Sequence, residues 1–328
     1  MSLRGKKFVL IGGAGLIGSH TAEELIKEDI KELVIFDNFF RGSMENIKDL
    51  LKDDRVKIFE AGGDITQIDL LNSALKNTDG VFHFAALWLL QCHMYPRAAF
   101  KVNVEGMFNV LEACVKNNIK RLVWSSSASV YGDAEKEPMT EKHPFKNKNF
   151  YGSTKIAGEA MATAFSNRYN LKQVGLRYMN VYGPRQDYHG AYIAVMMKML
   201  DAIENNKSPK IMGDGTEAFD FVYVKDCAVA NICAMIAETS DEYYNVGTGI
   251  KTTLKELAEK LLKLLNSNLK IEYEDRSEAT LVKSRVGCTV KAEKEIKFTA
   301  KTSLHDGLKD LIKKKKINKQ KKKKKKKY

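Results

Sequence analysis

The sequence predicts an α/β fold, a Rossmann-type doubly wound parallel sheet joined to a smaller mixed region that binds substrate. Three observations carry this. Strand-like apolar runs alternate with helix-period stretches through the first 180 residues, the pattern of parallel strands joined by crossover helices. The first run, KKFVLI at 6–11, feeds into a glycine loop that opens a helix. Further along, a serine-rich strand end at 125–127 is followed by Tyr151-Gly-Ser-Thr-Lys155, a pairing suited to moving a proton.

Taken in order, the glycine loop reads Gly12-Gly13-Ala14-Gly15-Leu16-Ile17-Gly18. Gly12 permits a tight turn, Gly15 lets backbone approach a diphosphate, and Gly18 lets helix pack on strand. Ser19 to Lys27 has helical character, and the helix N-terminus then offers unpaired amides and a positive dipole end. A second strand, Glu32 to Phe36, ends in Asp37, nineteen residues after Gly18. An acid about 20 residues on binds the adenine ribose hydroxyls and repels a 2′-phosphate, which favours NAD. Arg41 is the counter-argument, since an arginine can receive that phosphate.

Further strands are expected at Val56 to Phe59, Gly80 to Phe84, Arg121 to Ser125 and Gln173 to Tyr178, with helices at Phe100 to Asn117 and Tyr151 to Asn170. Ligands of such sheets sit at strand carboxyl ends. There lie Asp64 and Ile65, Ala85 and Ala86, Ser125 to Ser127, and Asn180. Asp64 can contact the adenine or cap its own turn. Asn103, early in a helix, can touch the cofactor or act as a local cap. After Asn180 the alternation breaks, with a turn at Val181 to Pro184 and helices expected at Tyr192 to Ile203 and Thr253 to Leu265. The expected division is 1–180 for the NAD-binding domain, 181–312 for a mainly substrate-binding domain partly interleaved with it, and 313–328 for a disordered poly-lysine tail.

Tyrosine ordinarily titrates near pH ~10. Lys155, one turn along the same face, is expected to lower the Tyr151 value, and Ser127 to share the proton in transit. Five scattered cysteines without a C-x-x-C suit a reducing cytosol and argue against disulfides and a zinc site. Cys92-His93 alone is a poor metal site, so no metal is expected. No run approaches the ~20 apolar residues of a membrane span, and the amino terminus lacks a cleavable signal pattern. The expected location is the cytoplasm. The net charge is +13, but twelve of the 54 basic residues are lysines within 313–328. The remaining 42 nearly balance 41 acids, leaving a body of +1. The tail is either a solvated extension or a contact for an anionic surface. Nothing in the body suggests a nucleic-acid reader.

The motifs GGAGLIG, FDN (36–38), GDI (63–65), HFAA (83–86), SSSASVYG (125–132), YGSTK (151–155), LRYMNVYGP (176–184) and FDFVYVKD (219–226) occur in this order. Through them the chain resembles the extended short-chain dehydrogenase/reductase family, and most closely its nucleotide-sugar 4-epimerases of the UDP-galactose 4-epimerase type. The match spans residue 8 to about 250 and continues more weakly to about 312. ALWLLQC (86–92) and GPRQDYHGAY (183–192) point to the bacterial branch that serves surface polysaccharide sugars. The resemblance implies bound NAD, a homodimer through the Phe100–Asn117 and Tyr151–Asn170 helices, and a UDP-sugar substrate. Apolar Met107, Val110, Leu111, Ala157 and Met161 on those helices also fit simple core packing.

The implied catalytic set is Ser127, Tyr151 and Lys155. Tyr151 as phenolate removes the C4 hydroxyl proton with Ser127 aiding transfer, hydride passes to NAD, and the 4-keto sugar turns over and is reduced on its other face. Gly12, Gly15, Leu16, Ile17, Gly18, Asp37, Asn38, Asp64, Ile65, Ala85, Ala86, Asn103, Tyr151 and Lys155 are implied to hold NAD. Ser127, Asn180, Arg276 and Lys283 are implied to hold the substrate, with Arg285 an alternative to Arg276 and Ser284 to Lys283. Related dehydratases carry an Asp-Glu pair after the catalytic serine position, and uronate decarboxylases retain a Glu. Here Ala128 and Ser129 stand there, so epimerisation is preferred over decarboxylase, dehydratase or C4 reductase chemistry. A dinucleotide-sensing protein without chemistry is disfavoured by the intact Ser127, Tyr151 and Lys155. Two departures stand out. Phe219 occupies the place of a phosphate-binding arginine, and Trp88 that of a common lysine.

Overall fold

The computed structural model describes residues 1–186, 194–275 and 282–325, with side chains as far as Ile317 in the last segment. Its centre is a seven-stranded parallel sheet. Six strands follow the sequence in order: β1 (Lys7–Ile11), β2 (Glu32–Phe36), β3 (Val56–Ile58), β4 (Gly80–His83), β5 (Arg121–Ser127) and β6 (Gln173–Tyr178). The seventh, Glu242–Val246, comes from the later half of the chain and pairs with β6. Across the sheet the order is Glu242–Val246, β6, β5, β4, β1, β2, β3.

The strands form because their side chains satisfy two apolar layers at once. Alternation at period two sends Phe8 and Leu10 to one face and Val9 and Ile11 to the other. Likewise Val123 joins the first face, and Leu122 and Trp124 the second. The first face is covered by the Leu16–Leu25 and Val224–Ile236 helices, through Ala22, Leu25, Cys227, Ala230 and Ala234. The second is covered by Gly106–Lys116 and Phe150–Tyr169, through Met107, Val110, Leu111, Ala162 and Phe165.

The helix expected from Phe100 to Asn117 is not uniform. Phe100–Glu105 is a π-helical turn and the α-helix proper is Gly106–Lys116. The wide turn turns Asn103 inward, and Gly106 packs against Ile65, whose side chain a Cβ at 106 would meet at 2.7 Å. The second helix follows its sequence signals closely. Asn149 caps it by accepting the Gly152 amide at 2.8 Å, and Asn170 ends it in the left-handed conformation at φ 56°.

The smaller region collects short strands, among them Asn180–Tyr182, Ala218–Phe219, Phe221–Tyr223 and Ser284–Arg285, around a third apolar cluster. Its helices are Ala194–Glu204 and Leu254–Leu264, the latter opened by a Thr253–Glu256 capping box. The start expected at Tyr192 lies outside the described residues. A last helix, Leu304–Lys325, crosses the boundary drawn at residue 313. Lys315 on it is buried and pairs with Asp201 and with Glu204 at 3.1 Å, so packing continues past that boundary. Among the described residues no helix is long and apolar enough to cross a membrane.

Candidate active site

β5 ends in three serines, and the next residues, Ala128–Val130, coil into a 3₁₀ turn. Ser127 Oγ caps that turn by accepting the Ser129 amide at 3.1 Å, which fixes the hydroxyl at the strand end. The Phe150–Tyr169 helix runs alongside and supplies the other two groups. Tyr151 shares a hydrogen bond with Ser127. Lys155 Nζ donates to the Ser125 carbonyl at 2.6 Å and lies 5.7 Å from the centre of the Tyr151 ring. The three residues singled out from sequence therefore meet at one place.

One turn further, Glu159 latches this helix to the sheet. Its carboxylate accepts from Ser126 Oγ at 2.6 Å and from Arg177 of β6 at 2.8 and 2.7 Å. Arg177 Nη1 also donates to the Tyr131 hydroxyl at 2.9 Å, and that hydroxyl donates to Asn245 at 2.7 Å. Sequence reasoning missed this network, although Tyr151, Lys155 and Glu159 repeat at four-residue steps on one helix face.

The expected lowering of the Tyr151 pKa is corrected. Burial pushes it up to about 12 and outweighs the downward pull of the Ser127 hydrogen bond and of the Arg41 and Arg285 charges; the Cys92 thiol adds to the rise. The physical reason is the burial of Tyr151 itself, and Lys155 is buried as well. Burial holds it down at about 8, with only partial compensation from Cys92 and Glu159, and its ammonium is turned to a carbonyl. His83, buried at the end of β4, is pushed down to about 3 and is a neutral ring at ordinary pH.

The glycine loop packs backbone against backbone. A Cβ on Gly12, whose φ is +80°, would stand 2.6 Å from the Ala85 amide nitrogen, and one on Gly18 only 2.3 Å from the Gly12 carbonyl oxygen. No side chain caps the Leu16–Leu25 helix, and its first turn holds no acid. The amides at Leu16 and Ile17 thus face a site with a positive dipole end. Asp37 is buried beside the loop, accepting the Ala14 amide at 2.9 Å and the Phe39 amide at 2.8 Å. Burial raises its pKa against those two bonds.

Asn38 is exposed and accepts the Phe40 amide at 3.1 Å. Asp64 accepts from the Thr66 amide and hydroxyl at 2.9 and 2.8 Å, which is the turn-capping reading. Ile65 is buried against Gly106, and Ala85 and Ala86 are half-buried after β4. Asn103 holds the loop after β4: it accepts the Leu87 amide at 2.7 Å and donates to the Leu87 carbonyl at 2.9 Å and to Thr154 at 3.1 Å.

Of the residues expected to meet the substrate, Asn180 is half-buried and its amide donates to the Asp220 carbonyl at 2.9 Å. Arg276 lies outside the described residues. Lys283 is exposed, its backbone amide bonded to Asp133 at 2.9 Å, and Ser284 bonds to Glu137. Among the described residues of this segment, Arg285 is a cation whose charge lowers the Tyr151 pKa. It donates to the Gly132 carbonyl at 3.1 and 3.3 Å and pairs in register with Phe219. A guanidinium thus stands beside the place where the expected arginine is missing. Asp220, next to Phe219, is fully buried and accepts from Thr248 and Gly249. Among the described residues no cluster of His, Cys, Asp or Glu could hold a metal ion.

Residues 8–247 match the family model of the NAD dependent epimerase/dehydratase family. A UDP-N-acetylglucosamine 4-epimerase from Methanobrevibacter ruminantium M1, solved with UDP-N-acetylmuramic acid, is 33% identical with a TM-score of 0.90, covering 96% of this chain and 99% of that one. The UDP-glucose 4-epimerase of Thermotoga maritima with UDP-glucose is 29% identical with a TM-score of 0.86, covering 95% and 99%. The UDP-glucose 4-epimerase of Lactobacillus helveticus is 33% identical over 260 residues, 74% of this chain and 76% of its own. A UDP-N-acetyl-alpha-D-glucosaminuronate decarboxylase from Bacillus cytotoxicus is 28% identical over 279 residues, 82% and 83%.

Proposed function

The chain belongs to the NAD dependent epimerase/dehydratase family, and on that premise we propose that it inverts C4 of a nucleotide sugar, a UDP-sugar, with NAD as resident cofactor. The observation that carries the reaction type is the Tyr151–Ser127 pair followed by Ala128 and Ser129, neither of which can ionise at neutral pH. Elimination of water or loss of a carboxylate asks for a further acid or base there; inversion does not.

Tyr151 takes the proton of the C4 hydroxyl and later returns it, and Ser127 shares that proton in transit. Lys155, fixed on the Ser125 carbonyl, places a cation next to the ring and favours the phenolate. Bound in its oxidised form, NAD supplies the acceptor for the C4 hydrogen and its electron pair, and a positive charge that further favours a phenolate. The Gly12–Gly18 loop and the helix start hold its diphosphate, and Asp37 its adenine ribose. On the substrate side Asn180 and Arg285 bind the nucleotide sugar, Arg285 in place of the arginine absent at Phe219. The product serves as a precursor for surface polysaccharide, made in the cytoplasm.

Two surfaces complete the reading. Phe100, Phe108, Phe150 and Tyr169 are exposed on the two long helices, and they support a homodimer joined there; Met107, Val110 and Leu111 are core instead. The lysine tail makes weak, salt-sensitive contact with an anionic surface. The function is tested by mass spectrometry of the product formed from a UDP-hexose or UDP-uronate in deuterated water. An epimer has the mass of its substrate with no deuterium at C4. Loss of carbon dioxide or water from the sugar would replace this reading with its decarboxylase or dehydratase relatives.

A further inference from the structure

Two loops flank the glycine loop and are tied to it independently. The loop after β2 runs from Asp37 through Arg41 to Ser43. Ala14 donates its amide to Asp37 at 2.9 Å, and its carbonyl accepts from the Ser43 amide at 3.2 Å and Asn46 Nδ2 at 2.8 Å. The loop after β4 passes so close to Gly12 that a Cβ there would strike Ala85, three residues before Trp88. The side chains of the two loops then meet, with the Arg41 guanidinium 5.0 Å from the centre of a Trp88 ring.

We propose that Arg41, held against Trp88, is a diphosphate-binding clasp for the cofactor, joining the two loops across the glycine loop that both touch. The inference rests on the dinucleotide reading of that loop. The indole lies against the guanidinium, a group whose N–H donors can pair with two phosphate oxygens at once. A diphosphate at the Leu16–Leu25 helix start carries more negative charge than a helix end balances, since the dipole amounts to about half a charge. Arg41 brings a full charge into that surrounding. Arg41 follows Asp37 by four residues, and its positive charge pulls the Tyr151 pKa down. The same placement answers the departure at position 88, where the ring supports a cation instead of supplying one.

The test compares wild-type full-length protein with Arg41→Gln, Arg41→Lys, Trp88→Leu and Arg285→Gln. NAD carried through purification is quantified, and affinities for ADP, UDP and NADP are measured by calorimetry, with thermal melts to establish folding. Arg41→Gln is expected to lose carried NAD and bind ADP about ten- to a hundredfold more weakly, as for a lost charge-assisted bond, with UDP unchanged. Arg41→Lys and Trp88→Leu should fall between, and Arg285→Gln should leave ADP binding intact. Unchanged ADP affinity in folded Arg41→Gln overturns the clasp. So does a loss seen only with UDP, or only with NADP, the latter placing Arg41 at a 2′-phosphate. Wild-type protein that neither carries NAD nor binds ADP sinks the dinucleotide reading itself, and the clasp with it.

Discussion

The proposed reacting end of the site and its proposed phosphate-binding margin are built differently. Ser127, Tyr151 and Lys155 stand on β5 and a 20-residue helix, with Ser127 held by buried Ser129 and Lys155 by buried Ser125. Glu159 and Arg177, each with 5% of its side chain exposed, lock helix to sheet behind them. At the margin, Arg41 and Trp88 come from loops, and Phe219 and Arg285 from two-residue strands. Proton transfer demands fixed positions, so it sits on long elements anchored twice. Phosphate recognition needs a cation within reach, and a guanidinium can arrive from more than one direction. The difference explains why the reacting residues match the family pattern while the margin has exchanged its residues.

The comparison can be broken first at Tyr151. Tyr151→Phe removes the proton carrier and should lower kcat by about 10²- to 10⁴-fold, with bound NAD unchanged on quantification. A variant retaining full turnover would falsify the assigned role. The next largest effect belongs to the latch. Glu159→Ala leaves the Arg177 charge buried without its partner, a loss of about 3–5 kcal/mol, readable as a lower urea midpoint. Arg285→Gln at the margin should do the opposite: stability within about 1 kcal/mol of wild type, as for an ion pair or bond near the surface, but KM for the UDP-sugar raised about tenfold. If Glu159→Ala were as stable as Arg285→Gln, the contrast between the two ends would collapse.

The smallest effect is one of pH. Burial holds Lys155 at about 8, below the ordinary lysine value, so its ammonium is present below that pH and lost above it. If the cation supports the Tyr151 phenolate, kcat/KM should descend as pH rises through about 8. Lys155→Arg, charged at all accessible pH, should keep whatever activity it has without that descending limb. A limb unchanged in Lys155→Arg assigns it to another group.

Much of this was legible in the sequence for a physical reason. A glycine that must avoid a backbone atom, a Tyr and Lys one turn apart, and buried parallel strands all leave local marks. The seventh strand left a weak one, since EYYNV mixes polar and aromatic residues and its pairing with β6 spans some 68 residues. The Asn103 hydrogen bonds depend on a π-helical turn that no periodicity announces. The Tyr151 pKa is raised by its own burial, which spacing does not reveal, and so the sign expected for it was wrong. Arg41 and Trp88 meet across 47 positions of chain, and each alone reads as an ordinary loop residue.

The most direct test of the central claim is proton NMR of the anomeric region as the protein acts on UDP-glucose, UDP-N-acetylglucosamine and UDP-glucuronate in turn, with no NAD added. The account predicts a new anomeric signal from the C4 epimer of at least one of them, absent with Tyr151→Phe. A pentose or 4-keto-6-deoxy product, or an epimer signal of equal strength from Tyr151→Phe, would contradict it.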